Sequence, residues 1–140
     1  MPSGFHLPRH WPRAADAQTA ARLRERFAEL GEPEAALAAE PEIAALLDAL
    51  GGNSPFLADL VVREAPSLRL LAAEGPAAPV RAALELIAGT SPAAPRARIA
   101  SVLRQAKRQT ALAVAIADIG GIWTLEEVTA ALSDFADAAL

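Results

Sequence analysis

The chain of 140 residues contains no cysteine and no tyrosine, and it has only four phenylalanines, two tryptophans and two histidines. Without cysteine it can form no disulfide, thiolate metal site, iron–sulfur cluster or cysteine nucleophile. With so few aromatic rings, a stacking surface for nucleic acid is not expected. The net charge of −4 also argues against a nucleic-acid-binding protein, because such proteins are usually strongly basic.

Long hydrophobic runs and targeting signals are also missing. The first ten residues show no charged segment followed by an apolar one, so we expect no secretory signal. The longest uncharged apolar run, residues 110–117, ends at Asp118 and is much shorter than the roughly 20 residues needed to cross a bilayer. We therefore expect a soluble, cytoplasmic protein that makes no contact with a membrane.

Alanine and leucine supply most of the apolar residues, and both enter helices with little loss of side-chain entropy. The sequence shows no alternation of period 2, so the predicted fold class is all-α. We predict a single multi-helix domain of about six or seven helices over residues 16–140, arranged around a long central helix. Residues 1–15 contain three prolines and no periodicity, which predicts a flexible N-terminal arm.

Capping residues and glycines mark the expected ends of the first helices. Asp16 is expected to cap the first helix, and Gly31 to end it in the left-handed conformation. A second helix is expected to start near Pro33 or Pro41 and to stop at the glycine pair 51–52. Ser54 and the proline after it predict the start of the next helix, whose apolar stripe begins with Phe56 and continues through Leu57, Leu60 and Val61.

The longest predicted helix runs from about Pro95 to Ile119. Its second half is apolar on every side, so we expect neighbouring helices to enclose it, and Arg104 and Arg108 lie opposite its apolar stripe. The last helix starts at a capping box formed by Thr124 and Glu127. Its apolar stripe continues to the end of the sequence, which predicts that the chain is a fragment of a longer protein. The stripe consists of Leu125, Val128, Leu132, Phe135 and Ala139.

Two residue pairs could carry chemistry, and each has a simpler interpretation. His6 and His10 have the i, i+4 spacing of helical zinc ligands, but the proline between them and the lack of a nearby carboxylate favour a solvated arm. Asp134 and Asp137 share a helix face, which we interpret as solvated rather than as an acid–base pair. The sequence has no P-loop, nucleophile elbow or catalytic triad. We therefore predict no catalytic, cofactor-binding or metal-binding residue.

The glycine pair 51–52 followed by Asp59 superficially resembles the nucleotidyltransferase fingerprint, in which two carboxylates hold magnesium around nucleotide phosphates. Val61 stands where the second carboxylate would be needed, and the segment has a helical pattern. We therefore interpret the glycines as a helix terminator and not as a catalytic loop.

Residues 96–108 form a basic run with five cationic side chains and no acid. Arg104, Lys107 and Arg108 within it are candidates for a contact with a partner or another domain. The simpler interpretation is a solvated helix face whose cations pair with acids of the same domain.

Two longer segments carry a family resemblance. Residues 52–71, GNSPFLADLVVREAPSLRLL, begin with a Ser-Pro-aromatic start that leads into a helix and then into the short sequence Ala-Pro-Ser-Leu. Residues 103–140 contain a Leu-Arg-x-x-(Arg/Lys)-Arg helix, an Ala-Asp-x-x-Gly turn and a final helix. In order and spacing, both resemble the glutamine synthetase adenylyltransferase family of bifunctional adenylylating and adenylyl-removing enzymes. The resemblance covers roughly residues 50–140, whereas residues 1–49 match only loosely.

The resemblance implies that residues 16–140 precede a nucleotidyltransferase catalytic domain. It implies a parent enzyme that uses ATP and magnesium to place AMP on a tyrosine of glutamine synthetase, and that removes the AMP with phosphate. Implied partners are the chain's own catalytic domain, glutamine synthetase and a PII-type signal protein, with glutamine as a further regulator.

The catalytic signature of the family, Gly-Lys-x-Gly-Gly-x-Glu-Leu followed by Ser-Asp-x-Asp, is absent from this sequence. No catalytic residue can therefore be carried over, and we expect no cofactor in this fragment. The alternative function is a stand-alone helical protein–protein interaction module whose basic face binds an acidic partner.

Overall fold

A computed structural model describes residues 5–8 and 10–140. This part of the chain contains eight α-helices and no β-strand, which confirms the all-α prediction. None of these helices is long and apolar enough to cross a membrane. The helices are α1 (Ala17–Ala28), α2 (Glu32–Ala38), α3 (Pro41–Asn53), α4 (Pro55–Arg63), α5 (Ala65–Glu74), α6 (Ala77–Ala88), α7 (Arg96–Ile119) and α8 (Leu125–Ala139).

The long helix α7 is central, as predicted, because it packs against α4, α5, α6 and α8. Its second half is enclosed: Leu112 and Ile116 are almost completely buried, and Ala113 and Ala117 lie beside them. The other half of the core forms where α1 lies along α3, with α2 and α4 against both of them. Its largest buried side chain is that of Phe27.

Residues 32–53 form two helices, which brings the number of helices in the described residues to eight. Both candidate prolines start a helix, because Pro33 lies in the first turn of α2 and Pro41 opens α3. Pro41 cannot continue α2, since it has no N–H group to donate to the preceding turn. Gly31 does not have the left-handed conformation that was predicted. Its backbone is extended, with φ 164°, and it is the N-cap of α2.

The prediction that the glycine pair 51–52 ends a helix is wrong. Both glycines lie inside α3 and are buried. They permit a close approach between segments: a Cβ on Gly51 would lie 2.7 Å from the Cβ of Leu23, and one on Gly52 would collide with Ala14. The helix ends at Asn53 because Ser54 turns the chain into α4 and accepts a hydrogen bond from the Leu57 N–H.

The predicted caps are confirmed, but the orientation of the last helix is not. Thr124 and Glu127 form the capping box of α8, and Asp16 caps α1. In α8, however, Leu125 and Leu132 are 79% and 48% exposed, and Ala131 is the buried residue. The apolar pattern is broad enough to fit two rotations of the helix, and packing against α6 and α7 selects the one that buries Ala131.

Residues 5–8 and 10–15 follow the surface of the helical domain without regular secondary structure. Leu7 and Trp11 pack against the core, and Asn53 binds the arm at two backbone positions, since it accepts from the Ala15 N–H and donates to the Arg13 carbonyl. Residues 1–4 and 9 of the predicted arm lie outside the described residues. The flexibility of the arm stays a prediction.

Candidate functional site

The residues that could have carried metal or acid–base chemistry form no metal-binding cluster among the described residues. His6 and His10 are exposed in the arm, and Asp134 and Asp137 are exposed on α8. In residues 5–8 and 10–140, no group of three or more His, Cys, Asp or Glu side chains could share a metal ion. Asp59 lies on α4, where it forms an ion pair with Arg26 of α1, and Val61 is completely buried. The site described below is a cleft lined by apolar and cationic side chains.

A partly buried ion pair joins α7 to the junction between α4 and α5. The guanidinium Nε of Arg108 donates to Oε2 of Glu64 at 2.9 Å, and the side chains are 32% and 9% exposed. Glu64 lies between α4, which ends at Arg63, and α5, which begins at Ala65 and has Pro66 in its first turn. A carboxylate this deeply buried needs a partner charge, which Arg108 supplies. Arg108 is therefore less exposed than was predicted, and it pairs with an acid of the same domain, which the simpler interpretation of the basic run allows.

Three further ion pairs connect neighbouring helices. Arg69 of α5 lies 3.3 Å from the largely buried carboxylate of Glu34 on α2. Arg26 of α1 and Asp59 of α4 are 3.2 Å apart at an exposed position, and Arg24 pairs with Asp48 between α1 and α3. Each pair uses a cation that would otherwise contribute to a basic surface. The cations without an ion pair among the described residues therefore determine where a partner could bind.

A cleft of about 720 Å³ opens between α1, α4 and α7, and we call it the α1/α4/α7 cleft. Its apolar surface comes from helices α4 and α7. The side chain of Phe56 is part of this lining and is 68% exposed. Phe56 was predicted to lie on the apolar stripe of α4, but only Leu60 and Val61 of that stripe are fully buried. The cleft is lined by Arg26, Phe56, Asp59, Leu60, Val62, Arg63, Lys107, Arg108 and Ala111.

The charges in this cleft are unevenly balanced. Arg26 is paired with Asp59, and Arg108 is paired with Glu64. Arg63 and Lys107 are exposed and form no ion pair with any described residue. The cleft therefore carries two uncompensated positive charges beside an apolar surface, in a chain whose net charge is −4.

The three predicted contact residues do not lie at one site. Lys107 and Arg108 line the cleft, whereas Arg104 is exposed outside it. Sequence reasoning missed Phe56 and Arg63, which α4 supplies from the opposite side of the cleft. The available signal was the Ser-Pro start of α4, because it fixes where the helix begins. It does not fix which face of α4 is left uncovered.

Comparisons with known proteins place the chain within one group of enzymes. A family model described as "Glutamate-ammonia ligase adenylyltransferase" matches residues 44–140. A relative from Rhodopseudomonas palustris (strain HaA2), named "Bifunctional glutamine synthetase adenylyltransferase/adenylyl-removing enzyme", is 38% identical over 91% of this chain. Relatives with the same name from Xanthobacter autotrophicus and a Bradyrhizobium species are 35% and 37% identical over 99% and 85% of the chain. No solved structure matches.

The chain spans only a small part of these relatives. The matched segments make up 13% of the Rhodopseudomonas protein, 15% of the Xanthobacter protein and 13% of the Bradyrhizobium protein. The family match includes α4 and α7, which supply eight of the nine residues that line the cleft, while Arg26 of α1 lies before it.

Proposed function

This chain belongs to the glutamate-ammonia ligase adenylyltransferase family, and we propose that it is a helical, non-catalytic domain of such an enzyme. The parent enzyme would adenylylate glutamine synthetase and remove the adenylyl group, the two activities stated in the names of its relatives. Through them it would regulate nitrogen assimilation. The observation that carries this proposal is the family match over residues 44–140.

ATP and magnesium are the cofactors we propose for the parent enzyme, but the residues described here do not fit them. A magnesium–nucleotide site needs convergent carboxylates, and no suitable cluster occurs in residues 5–8 and 10–140. The most plausible local candidate, Asp59, is on a helix surface and is paired with Arg26. We therefore assign phosphoryl chemistry to another part of the parent enzyme and derive no reaction step here.

The role we propose for this domain is to support the first nucleotidyltransferase domain and to contact protein partners. Arg104, Lys107 and Arg108 remain the proposed contact residues, with Arg108 also committed to Glu64. Glutamine synthetase is the proposed substrate protein. A PII-type signal protein and glutamine are the proposed regulators, and the cytoplasm is the proposed location.

A segment exchange tests this proposal. The matched segment of the Rhodopseudomonas palustris (strain HaA2) relative is replaced by this 140-residue chain, and both activities toward glutamine synthetase are measured. We expect the chimera to keep both activities, because the helical core and the family segment are preserved. A control chimera that carries Ile116→Asp should lose them, since Ile116 is fully buried in α7.

Two results would contradict the proposal. One is a chimera that folds with the thermal stability of the relative but has neither activity. The other is tight binding of magnesium–ATP by the 140-residue chain alone in calorimetry, with a dissociation constant of about 1 μM, because a non-catalytic domain has no such site.

The second candidate is a stand-alone helical interaction module, and the uncompensated cations Arg63 and Lys107 favour it. The two functions are distinguished by the downstream reading frame. A Ser-Asp-x-Asp motif within a few tens of codons supports the enzyme domain, and a natural stop codon directly after Leu140 supports the module.

A further inference from the structure

We propose that the α1/α4/α7 cleft binds a short acidic segment of a partner protein that carries one large apolar side chain. The inference goes beyond the adenylyltransferase assignment and does not depend on it. It rests on the shape of the cleft, on the exposure of Phe56, and on the two cations in the cleft that have no ion pair.

The apolar part of the cleft is suited to a single anchoring side chain. Phe56 is 68% exposed although Leu60 and Val61 of the same helix are buried, and Val62 and Ala111 are only partly buried. Exposed aromatic residues beside a concave apolar surface are the usual centre of a protein–protein contact. A large side chain from a partner would cover Phe56 and fill the space between α4 and α7.

The charged part of the cleft determines which sign of charge a partner segment must carry. Arg63 at the end of α4 and Lys107 on α7 are both exposed, and neither makes an ion pair with a described residue. Arg26 and Arg108 add partly neutralised positive charge at the same cleft. Carboxylates of a partner segment would complement Arg63 and Lys107, while a basic segment would be repelled.

The lining favours a protein segment over a nucleotide or free phosphate. Phosphate sites are usually built from glycine-rich loops and free backbone N–H groups at a helix N-terminus. The residues that line this cleft include no glycine, and all of them belong to α1, α4 or α7 rather than to a loop. The cleft therefore offers side chains on an apolar floor, which suits a peptide with carboxylate and apolar groups.

The experiment uses a displayed library of random 12-residue peptides selected on the 140-residue chain, followed by fluorescence anisotropy with a labelled peptide from the enriched set. We expect the enriched peptides to share one leucine, phenylalanine or tryptophan flanked by Asp or Glu. Replacing the acidic residues of the labelled peptide by their amides should abolish measurable binding.

Variants then locate the site. The double variant Arg63→Glu/Lys107→Glu should lower the affinity for the acidic peptide by about tenfold or more, since it reverses both uncompensated charges. Phe56→Ala should lower this affinity by about fivefold or more. These residues are exposed, so the substitutions leave the core intact. Matched controls are Arg98→Glu, an exposed cation on α7 outside the cleft, and Leu125→Ala, an exposed apolar residue on α8, and each should change affinity by less than about twofold.

Each possible result decides the proposal. Enrichment of acidic–apolar peptides whose binding is lost in the cleft variants and kept in both controls supports it. It is overturned by a library without enrichment, by enriched peptides that lack acidic residues, or by equal effects of Arg98→Glu and Arg63→Glu/Lys107→Glu. Displacement of the labelled peptide by magnesium–ATP would also overturn it, because the cleft would then be a nucleotide site.

Discussion

The indole ring of Trp11 lies against the backbone of Gly120, so the arm and the end of α7 are in direct contact. A Cβ on Gly120 would lie 2.7 Å from Cη2 and 2.8 Å from Cζ3 of the ring. The indole N–H donates to the carbonyl of Pro8 at 2.9 Å, which fixes the ring within the arm. A side chain at position 120 would therefore have to displace the arm.

We predict that Gly120→Ala destabilises the chain by about 1–3 kcal/mol, the usual cost of overpacking a closely packed site. The measurement is the free energy of unfolding in urea, with the tryptophan emission spectrum as a readout of the ring environment. The backbone at Gly120 has φ −80° and ψ −3°, which alanine adopts without strain, so the effect would come from the ring.

Gly89→Ala is a closely matched control for this prediction. Gly89 also follows the last residue of a helix, has φ −78° and ψ −5°, and would bring its Cβ near the carbonyl oxygen four residues earlier, as at Gly120. No other segment approaches it among the described residues. Equal losses of stability for the two glycine variants would show that Trp11 is not responsible.

A second prediction concerns the partly buried pair Glu64–Arg108. Arg108→Ala should lower the free energy of unfolding by about 1–3 kcal/mol, because the nearly buried Glu64 carboxylate loses its partner while partial exposure of Arg108 moderates the cost. Arg104→Ala should change stability by no more than about 0.5 kcal/mol, since Arg104 is exposed on the same helix.

The partner residue supplies an internal check on that pair. If Glu64 is replaced by Gln first, the further substitution Arg108→Ala should cost much less than in the original chain. An additive double variant would mean that the two side chains do not interact in solution. Ile116→Asp puts a carboxylate at a fully buried position of α7. It should lower the free energy of unfolding by several kcal/mol more than either arginine substitution.

Helix starts could be predicted from the sequence because their chemistry is local. Asp16, Ser54 and Thr124 each satisfy backbone N–H groups two or three residues away, so a short window contains the whole interaction. The wrong prediction at the glycine pair 51–52 has the opposite origin. Those glycines leave room for Leu23 and Ala14, which approach from other segments of the chain, and a local sequence pattern does not reveal such contacts.

The candidate site was harder to predict than the helix starts, because it depends on tertiary packing. Arg104 and Arg108 are one helical turn apart and have the same chemistry, yet only Arg108 meets Glu64, which lies 44 positions earlier in the chain. The position of α4 beside this turn of α7 determines the difference. The same packing leaves Phe56 exposed, although the apolar periodicity of α4 includes it. Basic charge was therefore predictable, whereas the cleft was not.

A third prediction tests the attachment of the arm. The Asn53 amide group accepts from the Ala15 N–H at 3.0 Å and donates to the carbonyls of Arg13 and Ala49 at 3.0 Å. Asn53→Ala removes these bonds, so amide hydrogen exchange in residues 10–15 should become faster while the core of α7 keeps its protection. Thr124→Ala, which removes the cap of α8, should leave residues 10–15 unchanged. Arm exchange equally fast in the original chain and Asn53→Ala would confirm the predicted flexible arm and contradict a clamp.

The orientation of α8 can be tested with two adjacent residues. Ala131 is 8% exposed and Leu132 is 48% exposed. Ala131→Asp should therefore destabilise the chain by about 1–3 kcal/mol, whereas Leu132→Asp should cost about 0.5 kcal/mol or less. The reverse order in urea unfolding would show that the apolar stripe through Leu132 faces the core after all.

The exposed side of α8 leads to the last prediction. Leu125 and Leu132, two helical turns apart, are open to solvent there, and neighbouring exposed apolar side chains of this kind are typical of a surface that another domain covers. In the proposed parent enzyme, amide hydrogen exchange should be slower around residues 134–140 than in the 140-residue chain, and also over part of residues 104–108. The buried part of α7 near Leu112 serves as the internal reference, because its protection should be the same in both proteins. Identical exchange at both predicted regions would show that α8 and Arg104 face only solvent, and that the basic run has no interdomain role.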